Sequence, residues 1–143
     1  MYDHVLVPTD GSDRILDALE HASSLVQQYD ATLHVIYVVQ ASGVVERLGE
    51  EEFEAMIERV ERAGKEAVET AVEHASDHGL TGVETEIRQG VPAEEIVGYT
   101  EENGVDMVVM ATAGRTGDER DVVGSVTERV VRSSPVPVVT VSA

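Results

Sequence analysis

His4-Val5-Leu6-Val7-Pro8-Thr9-Asp10-Gly11-Ser12 is the stretch on which the fold turns. A short apolar run stops at a polar turn containing glycine, which reads as strand one leaving into a loop. Ser12 or Asp13 is placed to cap a helix by accepting a backbone N–H. Ile15, Leu19, Ala22, Leu25, Val26 and Tyr29 then recur at helical spacing, which predicts a helix over about residues 13–29.

The same strand–turn–helix alternation continues outward. Leu33 to Val39 is dense in β-branched residues and reads as strand two, with Gln40 to Gly49 as a polar loop. Phe53, Met56, Ile57, Val60, Ala67, Val68, Ala71, Val72 and Ala75 form one apolar stripe, with Glu51, Glu54, Glu58, Glu61, Glu69 and Glu73 largely outside it. This predicts a long amphipathic helix two ending near Gly79, weakened or bent at Gly64. Val83 to Arg88 alternates as strand three. Pro92, after Gly90-Val91, suits the first position of helix three, which ends at Asn103-Gly104. Asp106 to Met110 is strand four, and Ala111 to Asp121 is a loop. Helix four begins around Val123 to Ser125 and runs to about Arg132; Val136 to Val141 is strand five.

The order βαβαβαβαβ predicts an α/β fold: an open five-stranded parallel sheet with right-handed crossovers and helices on both faces. No linker, repeat or second domain interrupts residues 1–143, so a single domain is expected. Ligands of such sheets bind beyond the carboxyl ends of the strands, where strand order reverses.

Composition bounds the chemistry. Hydrophobic residues make up 42%, aromatics are scarce and there is no Trp, so the core is expected to be aliphatic. The absence of Cys excludes disulfides, thiolate nucleophiles and Cys-ligated zinc. The net charge of −18 argues against general nucleic-acid or anionic-membrane binding, which needs basic surface. The acids are spread over the helices, as on a solvated surface adapted to high salt in a halophilic organism; recruitment of cations or a basic partner is the other reading. Repulsion among carboxylates predicts lost stability as salt is removed. No signal-like or membrane-spanning stretch stands out, and a cytoplasmic location is expected.

Two loops at carboxyl ends carry the candidate chemistry. One is Pro8 to Ser12. The other is Ala111 to Gly117, running on to Gly124-Ser125-Val126-Thr127. Gly114 and Gly117 would let backbone N–H groups approach a polyanion, and Gly124-Ser125 opens a helix whose free N–H groups and dipole favour phosphate. Ser125 and Thr127 add hydroxyls; Arg115 and Arg120 add nearby cations. The same residues also suit a plain glycine-containing loop before a Ser-capped helix, and composition alone leaves both readings open.

Over essentially its whole length the chain resembles the universal stress proteins, specifically their ATP-binding branch. The resemblance runs from Val5 to Ser12, through strand two and the Gly90-Val91-Pro92 turn, to Val136-Pro137-Val138-Val139. The family's nucleotide signature is Gly, two residues, Gly, nine residues, then Gly followed by Ser or Thr. Gly114, Gly124 and Ser125 fit it; Ala111 stands where the first Gly belongs, and a weakened site is the expectation. The resemblance implies the Rossmann-like strand order 3-2-1-4-5. It implies that Asp10 holds ribose hydroxyls or the base edge, with Pro8 and Thr9 lining the base pocket. Val38 would pack beside adenine, with Tyr37 or Val39 left open by the register. Met110 and Ala111 would border the ribose. Gly114, Arg115, Gly124, Ser125, Val126 and Thr127 would surround the phosphates of ATP, ADP or AMP, with Mg2+ or Mn2+ bridging phosphate oxygens. It also implies a homodimer through the last strand, an open apolar edge.

Other chemistries lack their residues. Strand three ends in Arg88-Gln89-Gly90, without the acidic site of a receiver domain. There is no P-loop and no hydrolase elbow. His74 and His78 stand four apart but without a third ligand on their face. No general acid–base pair sits in the loops, so slow ATP hydrolysis is the most that is expected. The expected function is a nucleotide-binding stress-response sensor or switch with an unidentified protein partner. A non-nucleotide interaction module of the same fold and a weak ATPase are the alternatives.

Overall fold

A computed structural model of the chain describes residues 2–40, 49–112 and 124–142. In chain order its elements are β1 (His4–Thr9), α1 (Ile15–Tyr29), β2 (Thr32–Val39), α2 (Glu50–Asp77), β3 (Glu84–Gln89), α3 (Pro92–Glu102), β4 (Met107–Thr112), α4 (Ser125–Ser133) and β5 (Val138–Ser142). The strands form one sheet in the order β3-β2-β1-β4-β5, and every neighbouring pair is parallel. The parallel sheet is the one expected from the alternation, and the strand order is the one the family resemblance implies.

Period-two alternation explains the two-layer cover. In β1, Val5 and Val7 point to one face and Leu6 to the other, and all three are completely buried. Val5 and Val7 pack with Ile15, Leu19, Ala22 and Val26 of α1 and with Val68, Ala71 and Ala75 of α2. Leu6 packs with Ile36, Ile96 and Tyr99 of α3, and Val130 of α4. The central strands are thus apolar on both sides, as a parallel sheet requires. β3 is an edge and is correspondingly polar, with Glu84, Thr85 and Gln89 exposed.

Three boundaries differ from expectation by two residues, each for a local reason. Helix α1 begins at Ile15, not near residue 13, and has no side-chain cap. The backbone N–H of Ser12 is instead held by Asp10 Oδ1 at 2.9 Å, so the loop closes on the carboxylate before the helix starts. Strand β4 continues through Ala111 and Thr112 because they pair with Val141 and Ser142. Strand β5 starts at Val138, not Val136, because the Ser134 hydroxyl accepts from the Val136 N–H and donates to the Val136 carbonyl, making a turn there.

Candidate functional site

β1 and β4 lie side by side at the centre of the sheet, yet the chain leaves them towards opposite edges. Their carboxyl-end connections therefore diverge and open a crevice. A cleft of about 320 Å³ fills it, a size within the lower range of small-molecule sites. Pro8, Thr9 and Asp10 enter from the end of β1, Ile36, Tyr37 and Val38 from β2, Pro92 and Ile96 from α3, Met110 and Ala111 from β4, and Val126 and Thr127 from α4.

Eight of the expected residues thus meet in one place: Pro8, Thr9, Asp10, Val38, Met110, Ala111, Val126 and Thr127. Tyr37 joins Val38, whereas Val39 is buried in the sheet. Gly124 is the N-cap of α4, with Ser125 the first helical residue; neither is among the residues lining the cleft. Gly114 and Arg115 lie outside the described residues, as do Gly117 and Arg120.

The loop after β1 is tightly organised. Gly11 has φ +84°, a left-handed conformation that disfavours any residue with a Cβ. Its N–H donates to Thr9 Oγ1 at 3.0 Å. Asp10 accepts the Ser12 N–H on one oxygen and the Arg14 guanidinium on the other, at 3.1 Å. Partial burial works to raise the Asp10 pKa, but the Ser12 hydroxyl and N–H and the Arg14 guanidinium outweigh it, and the carboxyl sits below its ordinary value. Asp10 is therefore an anion at neutral pH. With the Ser12 hydroxyl counted beside the Ser12 N–H and Arg14, up to three of a carboxylate's roughly four acceptor positions are used, which leaves at least one for a ligand's hydroxyl.

The rest of the cleft complements that acceptor. Ile36, Val38, Ile96 and Met110 give it apolar walls that suit a flat ring. At the α4 end, Gly124 has φ −55°, and among the described residues a Cβ placed there would meet no atom within 4 Å. A nucleoside with its phosphates towards α4 fits this set of groups. Among the described residues no group of three His, Asp or Glu side chains is gathered to hold a metal ion.

Sequence reasoning missed several lining residues: Ser12, Arg14, Ile15, Ile36, Gln40, Pro92 and Ile96. Arg14 carried a signal, because an acid and an arginine four apart across a helix start can pair. Pro92 and Ile96 carried none, since only the sheet order brings α3 to this end of β2. The histidines His4 and His34, isolated in sequence, are also brought together. His4 Nδ1 lies 3.0 Å from His34 Nε2, and His34 Nδ1 lies 2.7 Å from the Tyr99 hydroxyl, forming a chain under α3 away from the cleft.

The fold and the cleft define a class: a doubly wound α/β protein with a crevice where strand order reverses. A family model described as the universal stress protein family matches residues 1–142. A universal stress protein of Methanocaldococcus jannaschii is 39% identical over 141 residues, which cover 99% of this chain and 82% of that protein. Universal stress protein UspA from Lactobacillus plantarum superposes with a TM-score of 0.85 at 26% identity, covering 98% of this chain and 97% of its own. A universal stress protein crystallised in complex with cAMP shares the fold at a TM-score of 0.71 and 24% identity, with 98% and 96% of the two chains covered. The chain belongs to the universal stress protein family.

Proposed function

We propose that this protein binds an adenine nucleotide, ATP foremost, in the cleft between the ends of β1 and β4, and works as a stress-response sensor or switch. The observation that carries the reading is convergence. An ionised acceptor, an apolar slot and the first turn of α4 at Val126 and Thr127, which come from distant parts of the chain, line one crevice. Asp10 accepts ribose hydroxyls. Val38, Tyr37 and Met110 flank the base beside Pro8 and Thr9, and Ala111 borders the sugar. Gly124, Ser125, Val126 and Thr127, with Gly114 and Arg115 of the signature, receive the phosphates. A divalent ion, Mg2+ or Mn2+, neutralises phosphate charge and is held chiefly by the nucleotide's own oxygens. Nothing in this set moves a proton quickly, so any hydrolysis is slow. Among the described residues β5 has a neighbour on one side only, and it serves as the edge for a homodimer. Ala111 in place of the signature glycine favours a second reading, an interaction module that has lost its ligand.

The test is calorimetric titration of ATP, ADP and AMP with magnesium in molar KCl, on the wild type and Gly124→Asp. Aspartate is a favoured N-cap, so the substitution suits α4 while setting a negative charge where phosphate would lie. The expected result is saturable binding weakened by about tenfold or more in a variant that melts no earlier than the wild type. Absence of binding to all three nucleotides by folded wild type would refute the reading and leave the interaction module.

A further inference from the structure

The described lining of the cleft holds one carboxylate, Asp10, and one cation, Arg14. They are four residues apart and in direct contact, Nη2 to Oδ2 at 3.1 Å, while Arg14 Nε reaches the Ser12 hydroxyl at 3.3 Å. Two anchors on one short loop hold the guanidinium beside the carboxylate. The two side chains are 49% and 63% exposed, so the pair adds little to stability. Its consequence is electrostatic. In a chain of net charge −18, a bare Asp10 carboxylate would repel any ligand carrying phosphate, yet it would not disfavour a neutral nucleoside.

We propose that Arg14 is a specificity residue of the cleft: by neutralising the Asp10 carboxylate, the one acid of the described lining, it admits phosphorylated nucleosides. Asp10 keeps its role as acceptor, because Arg14 occupies only one of its free positions. Arg14 acts through Asp10 and does not need to touch the phosphate. The inference rests on the nucleotide reading above and names what that site selects.

The test titrates adenosine and AMP into the wild type, Arg14→Gln, Arg14→Lys and the double variant Asp10→Asn/Arg14→Gln. It is run at the lowest KCl concentration at which circular dichroism shows the fold, then in molar KCl. Arg14→Gln is expected to weaken AMP by about three- to tenfold and adenosine by less than about twofold. Arg14→Lys keeps the charge and the wild-type AMP-to-adenosine ratio. The double variant, with neither charge, recovers that ratio even where both ligands bind more weakly. Molar KCl shrinks the effect of Arg14→Gln by screening. Equal losses for AMP and adenosine would show Arg14 to be a loop brace only and overturn the proposal. A ratio that Asp10→Asn does not restore would put Arg14 on the phosphate itself and overturn it likewise. If the folded wild type binds neither ligand, the nucleotide reading falls and this inference with it.

Discussion

His34 is the residue whose environment departs furthest from its sequence neighbourhood. It stands on β2 between His4 of β1 and Tyr99 of α3, with 5% of its surface exposed. Burial pushes its pKa below the ordinary value and the neighbouring His4 pushes the same way, while Glu84 on β3 opposes them. Burial also raises the Tyr99 pKa, helped by Glu86 and Glu84 and opposed by Arg88, so the hydroxyl stays protonated and keeps its bond to the ring. The sign of the linkage follows. As pH falls through about 6.5, the unfolded chain takes up a proton on His34 before the folded chain does, so stability is lost from there down to the lowered folded value. Thermal melts between pH 7.5 and 5 are expected to show this loss in the wild type. Subtracting the same series for His34→Gln isolates it from the carboxylates; identical pH slopes for the two proteins would refute the assignment. Only the pairing of β1 with β2 and the packing of α3 make this chain of groups, which is why the histidines look isolated in sequence.

At the scale of elements, α2 was legible as an amphipathic helix, and its glutamates do lie outside the apolar stripe. The reason for Gly64 was not legible. A Cβ there would lie 2.6 Å from Cδ1 and 2.9 Å from Cε1 of Tyr37, so the glycine makes room for a ring on β2. Tyr37 in turn lines the cleft on one side and a second hollow of about 420 Å³ against α2 on the other. Gly64→Ala is therefore expected to destabilise by about 1–3 kcal/mol through overpacking, even though alanine favours helix by about 1 kcal/mol. In a Tyr37→Ala background the sign reverses, and Gly64→Ala raises the melting temperature. A stabilising Gly64→Ala in the wild-type background would mean that the ring moves away at little cost.

For the whole molecule, charge decides behaviour. Each chain carries −18, and most of the described acids lie on helices around an apolar core, so lowering salt strengthens repulsion within a chain and between two chains. Melting and sedimentation followed together from molar to about 0.1 M KCl are expected to show two losses. The melting temperature falls by about 10 °C or more, and the homodimer proposed along β5 gives way to the 15.4 kDa chain. A melting midpoint indifferent to salt would refute the first, and a 15.4 kDa particle in molar KCl would refute the second.

The sequence by itself determined the architecture, because the two hydrophobic periods are local properties. Alternating Val and Leu in β1 and the 3.6-residue stripe of α2 state which faces must be covered, and alternation of the elements makes the sheet parallel. Through the resemblance to the universal stress proteins it also named eight residues of the cleft, which sit at strand ends and at a helix start. Tertiary structure alone decided the rest of the site. Ile96 reaches the crevice from α3, Tyr37 lies across Gly64, and His34 meets Tyr99, because contacts between elements depend on strand order and side-chain direction. Neither is written into the spacing of residues along one element.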